Sequence, residues 1–383
     1  MSNNINSSRL ISGKSFFNRY FRLVKHIDYS IVFLALGLCI LGLLIIYSST
    51  HQEIMADGTT QFAKRQLISI LSSLLICFLI TMIDYHEVAK IAIPGYILSI
   101  ILLIYVIYFG KEIGGARRWI QLAGQEFQPA EFAKIALIIF LSDFLSRQKD
   151  KLPDFVYFSL PLLFAGILML LSYKQPDLGT AIVFFAITLL IVFIAGIRWQ
   201  YIIIVFLTIL SLFPITWSLL KDYQRNRLIL FLNPERDPLG AGYNIIQSKV
   251  AIGSGGFLGK GLFSGIQSQL KFLPSQHTDF VFAVLGEELG FIGALLLLTF
   301  FILLLWKGIR IAQEAPDLLG SFLAAGVTSF LFVQIFINIG MSMGLMPATG
   351  LPLPFISYGG TFMVSNFIGI GLLLNIHVRS IFV

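Results

Sequence analysis

Three carboxylates sit at the start of one apolar stretch of this 383-residue chain. Asp279 stands in Gln276-His277-Thr278-Asp279-Phe280, and Glu287 and Glu288 follow in Gly286-Glu287-Glu288-Leu289-Gly290. A carboxylate inside a bilayer is costly, so it needs a partner or a task. A lone acid at the mouth of a polar cavity suits general-base chemistry. The bland alternative for Asp279 is a helix cap. Other charges have similar promise. Glu131 and Lys134 are spaced i,i+3 and share one helix face. Asp177 lies in the link Lys174-Gln175-Pro176-Asp177-Leu178-Gly179, where it could also cap a helix. Arg117, Arg118, Arg225 and Arg227 come from polar loops. Glu131–Lys134 could merely stitch helices together, and Arg117-Arg118-Trp119 could be an interfacial belt. His277, a candidate substrate-binding residue, reads as an orienting neighbour or a solvated loop residue rather than a metal ligand.

The elements that position these residues are apolar helices. The chain is 57% hydrophobic and only 12% charged, half the charge of a typical soluble domain. Whole 20-residue windows lack any charge, which excludes a soluble protein with a large core. Apolar segments run at about 29–49, 66–84, 90–109, 131–145, 157–173, 178–196, 199–220, 280–306, 319–345 and 361–378. The expected fold class is therefore an all-α integral membrane protein of about ten transmembrane helices. Residues 1–28 form a basic tail, and 29–383 form one polytopic domain with a long loop at about 221–279. Cys39 and Cys77 lie in apolar segments and read as small buried hydrophobes.

Charge sets the expected orientation. The tail carries Arg9, Lys14, Arg19, Arg22 and Lys25 against Asp28 alone, which marks a cytoplasmic end. An even helix count returns the C-terminus to the same side. Arg147, Lys149 and Lys151, and later Lys307 and Arg310, also fall inside. The long loop, the link at 174–179 and the uncharged 346–360 loop fall outside. The net charge of +7 thus reports topology and not a nucleic-acid partner. By rise per residue, Glu287 is expected about 12 Å deeper than Asp279. Pro129 suits a helix start, and Asp143–Arg147 an interfacial i,i+4 pair.

The long loop contains tight turns at 233–240, a helix-like stretch near 243–252 and a glycine-rich passage, Gly253 to Gly261. That passage fails the phosphate-loop pattern, with Ser254 and Gly261 at two required positions. Its backbone N–H groups could still cradle a diphosphate. Three prolines and three glycines at 346–360 suggest a rigid re-entrant surface lining a cavity.

Five separated motifs now stand in order: RRWIQL with FQPAEFAK, QPDLGT, NPERDPLGAGYNIIQSK, QHTDFVFAVLGEELGF and MPATGLPLPFISYGGT. Together they resemble the SEDS family of bacterial shape, elongation, division and sporulation proteins, over about residues 30–380. The loop and short C-terminus are more similar to the RodA branch than to the FtsW branch. The resemblance implies a ten-helix peptidoglycan glycosyltransferase of cell elongation, in the bacterial cytoplasmic (inner) membrane, polymerising lipid II at the outer face. It implies as partners lipid II, undecaprenyl-diphosphate-linked glycan, membrane lipid and a class B penicillin-binding protein. Asp279 matches the family's essential loop aspartate, and Trp119, Glu131, Lys134, Asp177 and Glu288 match its motif set. Asp279 is then expected as base on the GlcNAc 4-hydroxyl. The departing diphosphate needs positive charge, from Arg117, Arg225, Arg227, Lys134 or a divalent cation (Mg or Mn). Glu131 and Asp177 are expected to hold Lys134. A lipid II transporter is the competing function, since broken helices and buried charges also suit a carrier. The polar residues cluster at one face, however, and no inverted repeat is evident.

Overall fold

The computed structural model describes residues 24–51, 61–113, 116–122, 125–148, 155–219, 222–238, 240, 242–270 and 272–381. Most of the basic tail, and Lys149 and Lys151, lie outside them. The helices in chain order are α1 (Tyr29–Ser49), α2 (Gln61–Met82), α3 (Tyr85–Lys90), α4 (Ala92–Phe109), α5 (Pro129–Arg147), α6 (Phe155–Lys174), α7 (Leu178–Ile194), α8 (Trp199–Leu219), α9 (Asp222–Leu232), α10 (Tyr243–Gly255), α11 (Ile266–Gln269), α12 (Val281–Glu314), α13 (Leu318–Ser342) and α14 (Gly360–Ser380). Each of the ten apolar segments coincides with one long helix. Seven of these are long and apolar enough to cross a membrane. Helices are the expected solution in lipid, because every backbone N–H is then satisfied within its own segment.

Helix starts follow side-chain chemistry. Asp28, Asp177 and Asp317 cap α1, α7 and α13 by accepting from Ser30 N, Thr180 N and Gly320 N. Pro129 opens α5, where its missing N–H costs nothing. Helices α13 and α14 are buried nearly throughout, whereas α2, α4 and α6 turn mostly outward. Small residues allow close approach at the centre. A Cβ on Gly326 of α13 would meet the Ile138 side chain of α5 at 2.6 Å, so Ile138 packs directly on the α13 backbone.

Three features depart from the expected outline. Three short strands form an antiparallel sheet in the order β1-β2-β3, with β1 at Lys111–Ile113, β2 at Ala116–Leu122 and β3 at Gln125–Phe127. Helix α12 is broken at Gly290, whose φ of 61° is left-handed. Residues 281–289 are a short, almost wholly buried half-helix, and the stretch after the break carries exposed Phe291, Ile292, Leu295 and Leu296. The expected depth of Glu287 is therefore wrong. Glu288 accepts from Ser48 Oγ at 2.7 Å, near the end of α1. Asp28 at the other end of α1 pairs with Lys307, late in α12, at 2.8 Å. The acid pair thus precedes the crossing instead of lying inside it.

The glycine-rich passage is also reassigned. Three of its N–H groups are spent on the protein: Gly259 N donates to Gly255 O, Lys260 N to Glu287 O and Gly261 N to Glu288 O, at 2.9, 3.1 and 3.0 Å. Those three are not free to cradle a diphosphate. The 346–360 loop is buried at Leu353, Phe355, Ile356 and Ser357. It reaches Gly42, where an added Cβ would meet Ile356 O at 2.6 Å. Gly42 lies seven residues before the end of α1, so the loop descends about 10 Å beside that helix.

Candidate active site

The Asp279 segment is held from four directions. Asn338 Nδ2, from α13, donates to Asp279 O at 2.9 Å and to Leu351 O at 2.7 Å. Gln276 Nε2 donates to Ser49 O at 2.9 Å, at the end of α1. Ser357 Oγ donates to Thr278 O, and Tyr358 N to His277 O at 2.9 Å. Gln66 of α2 donates to Ser357 O and accepts from Gly359 N. His277 packs against Phe62 and Tyr358, with ring centroids 4.9 and 5.9 Å apart. These bonds leave the Asp279 side chain out of helix capping: Phe280 holds the cap position of α12 without any side-chain bond. The carboxylate faces the re-entrant loop, where Gly350 adopts φ 71° and its Cβ position lies 3.4 Å from Oδ2.

Charge surrounds Asp279 asymmetrically. Burial raises its pKa above the ordinary carboxylate value; the Thr278 hydroxyl and the Arg118 and Arg227 cations draw it down, and the Asp177 charge pushes it up. The result is a desolvated base beside two guanidinium groups. Arg118 also reaches Asp177 at 3.6 Å and donates to Pro176 O. Asp177 in turn accepts from Thr180 N and Oγ1, at 3.1 and 2.9 Å. Gly179 packs on the backbone of Thr349, which joins the start of α7 to the loop beside Asp279.

The sequence-selected residues therefore separate into two groups. Asp279, Asp177, Arg227 and His277 gather here. Arg118 gathers with them in place of Arg117. On β2 side chains alternate, so Arg117 and Trp119 share one face and Arg118 takes the other. Arg117 pairs with Glu112 at 3.3 Å on the exposed hairpin. That alternation was the signal that would have chosen Arg118. Arg225 is also committed elsewhere: it donates to Trp217 O and Ser218 O at 2.9 and 2.7 Å, closing the end of α8.

Glu131 and Lys134 form a sealed pair. Their side chains are 2% and 0% exposed, with Nζ 2.7 Å from Oε1. Ser365 of α14 donates to Glu131 Oε2 at 3.1 Å, and Lys134 Nζ lies 5.4 Å from the Phe330 ring centre. The pair thus joins α5 to α13 and α14. Asp177 holds Arg118 rather than Lys134. Glu288 is fully buried against Ser48, and Glu287 accepts from Lys260 Nζ at 2.8 Å and from Gln267 N and Ser268 N. The acid pair thereby fastens the long loop to α1 and α12.

Comparison with known proteins fits this architecture. The family model of the FtsW/RodA/SpoVE cell cycle proteins matches residues 29–381. The peptidoglycan glycosyltransferase MrdB of Escherichia coli K12 is 41% identical over 355 residues, spanning 92% of this chain and 94% of its own. A chain of a solved peptidoglycan synthase complex, described for structural coordination of polymerization and crosslinking, superposes with a TM-score of 0.81. It is 32% identical over 92% of this chain and 98% of that one. The rod shape determining protein RodA of Thermus thermophilus superposes at 0.68, with 29% identity over 92% of this chain and 96% of that one. A bundle of apolar helices broken by a buried acidic segment, matched along nearly its whole length, thus belongs to the FtsW/RodA/SpoVE family of membrane-embedded cell cycle proteins.

Proposed function

We propose that Asp279 is the general base of lipid II polymerisation at the outer face of the bacterial inner membrane, with both termini cytoplasmic. The chain is a peptidoglycan glycosyltransferase, the activity for which its relatives are named. The observation that carries the assignment is one carboxylate, desolvated, free of capping duty and flanked by Arg118 and Arg227. The acceptor hydroxyl, at C4 of GlcNAc, loses its proton to Asp279. Its oxygen attacks the anomeric carbon of the growing strand with inversion, and the bond to undecaprenyl diphosphate breaks. Burial makes the carboxylate more basic, which favours proton transfer. Arg118 and Arg227 take up negative charge as the diphosphate departs. A departing diphosphate needs no carboxylic acid to protonate it, unlike the leaving group of an ordinary glycoside.

A divalent cation would add further neutralisation. Among the described residues no group of three or more His, Cys, Asp or Glu converges. Asp279 and Asp177 are the carboxylates at this site, and a Mg²⁺ or Mn²⁺ ion would take diphosphate oxygens besides them, as such ions commonly do. A class B penicillin-binding protein is the proposed partner that crosslinks the strands. The positive charge of the 1–28 tail and the short loops supports the orientation.

The test is polymerisation of purified lipid II by wild type and Asp279→Asn, each with its partner and resolved by chain length. Polymer from wild type alone supports the assignment. Polymer from a folded Asp279→Asn complex removes it.

A further inference from the structure

The two acids before the membrane crossing are adjacent, fully buried and held very differently. Glu287 receives three donors: Lys260 Nζ at 2.8 Å, Gln267 N at 3.0 Å and Ser268 N at 3.2 Å. Glu288 receives one. Ser48 Oγ donates to its Oε1 at 2.7 Å, and its Oε2 is buried without a partner. Among the described residues no cation lies within ion-pair distance of Glu288. Helix α1 carries no charged residue. The Lys260 ammonium is engaged by Glu287, and Lys249, the charged residue of α10, lies against Gly344 instead. His51, just past α1, is the remaining titratable group at this junction, and its ring packs on Phe263 at 4.9 Å. A single neutral donor, one bare oxygen and a charged neighbour suit a carboxylic acid rather than its anion. Burial first, and with it the Glu287 charge, favours the Glu288 acid, while the Ser48 hydroxyl draws the other way.

The partners of Glu288 give its proton a consequence. Ser48 Oγ also accepts from Phe263 N at 2.8 Å, and the carbonyls of Ser48 and Ser49 accept from Gln269 and Gln276. The end of α1 thus joins Glu288 to the loop between 263 and 276. Glu288 and Asp279 stand at the two ends of one half-helix, roughly 13 Å apart along it. A shift at the first therefore moves the second.

We propose that Glu288 is a positioning residue that works as a neutral carboxylic acid: its proton keeps the long loop latched to the end of α1 and so holds Asp279 in place, and its ionisation releases the loop. The link to Asp279 rests on the polymerase reading given above; the latch itself does not. When Glu288 gives its proton to water, its bare oxygen needs hydration that the closed junction excludes, and opening supplies it. The closed junction binds the proton more tightly than the open one, so opening grows easier as pH rises. The gain is about tenfold per pH unit, from the ordinary 4.5 of a glutamate to the value of about 7 in the closed junction, and it levels off above.

The experiment follows protease cleavage of the loop near 257–265 in the full-length protein, in nanodiscs with its partner, between about pH 4.5 and about 8. Each rate is divided by that of an unfolded peptide at the same pH, so that it reports the open population. The ratio of the wild-type rate to the Glu288→Gln rate is expected to rise about tenfold per unit up to about pH 7 and then to level. A ratio that stays flat overturns the proposal. Loss of the pH response in His51→Gln instead assigns it to the histidine and overturns it too. Asp279→Asn should keep the wild-type response, so a failed base assignment and a failed latch register separately. In turnover, Glu288→Leu should lower kcat about tenfold with KM steady, the effect of roughly one lost hydrogen bond. Glu288→Gln keeps a neutral carbonyl for Ser48 and should recover kcat to within about threefold of wild type. Equal losses in the two variants show that the anion is the working form and refute the positioning role.

Discussion

Removing Lys134 alone should damage the protein more than removing it together with Glu131. Lys134→Met leaves the Glu131 carboxylate with Ser365 as its remaining partner, in a position 2% exposed. An uncompensated buried charge costs about 3–5 kcal/mol, and replacing both partners by apolar groups is often nearly neutral. Neutral hydrogen bonds inside membrane proteins average only about 0.6 kcal/mol, because the unfolded state in lipid finds partners too. Bond loss alone would therefore give a small, additive effect, while a stranded charge gives a large, non-additive one. Glu131→Leu should cost a similar amount, and Glu131→Leu/Lys134→Met less than either single change. The assay is a double-mutant cycle on SDS-induced unfolding in mixed micelles, with helicity as readout. Additive single losses, or a coupling below about 0.6 kcal/mol, would refute the stranded-charge reasoning. A second arm measures polymerisation. A double variant within about threefold of wild type assigns the pair to helix stitching. A folded double variant that loses about a hundredfold or more assigns it to substrate.

Other substitutions probe the site and its supports. Asp279→Asn is expected to lower kcat by about 10²–10⁴, the contribution of a positioned base, in a lipid II turnover assay with helicity unchanged. Asn338→Leu unties Asp279 O and Leu351 O, and kcat should fall roughly tenfold with KM steady, because one or two bonds of about 1 kcal/mol each are lost. Gly290→Ala places a Cβ 2.3 Å from Gly259 N at a left-handed φ, so the long loop should detach, seen as new protease cleavage near 257–265. On the opposite face, burial works against the His86 charge, but hydrogen bonds to Asp84 and Asp317 outweigh it and raise its pKa. Its stabilising effect is then full below about pH 6.5, the unfolded value, and fades as pH rises through the higher folded value. His86→Ala should lower the melting temperature at pH 5.5 and leave it nearly unchanged at pH 9.

Much of the architecture was legible because lipid imposes a crude rule. Every apolar run of sufficient length became a helix, and Asp177 and Pro129 sit at helix starts as their chemistry demands. The break at Gly290 was harder to see. Half-helix and crossing are both apolar, so hydrophobicity runs on without interruption, and only the excessive length of the run hints at two pieces. The hairpin escaped for a related reason: its strands of three to seven residues are short against helices of about twenty. Within the site, residue type identified Asp279 but not its neighbours. Arg117 and Arg118 are identical in chemistry, and only strand alternation assigns one to Glu112 and the other to Asp177. Arg225 and Arg227, two positions apart, are likewise alike, yet one closes α8 and the other acts on the base. Lys134 looked available because a lysine in a helix start usually is, and only three-dimensional packing reveals that α13 and α14 enclose it.

The glutamine tethers between the long loop and α1 have a consequence for length variation along the chain. Gln269 Nε2 donates to Ser48 O at 2.7 Å, and Gln276 Nε2 to Ser49 O at 2.9 Å. Terminal carbonyls of a helix lack intrahelical donors, so α1 is finished by side chains from more than 200 positions away. The two anchor points lie seven residues apart in the loop, which sets the chain between them to one length. An inserted or deleted residue at 270–275 would displace one tether and shift Asp279, only three residues after Gln276. The turns at 233–240 have Glu235, Arg236 and Asp237 exposed, so extra residues can loop out there at small cost. Relatives of this protein should therefore differ freely in length before α10 and keep a constant count from the second tether to the base.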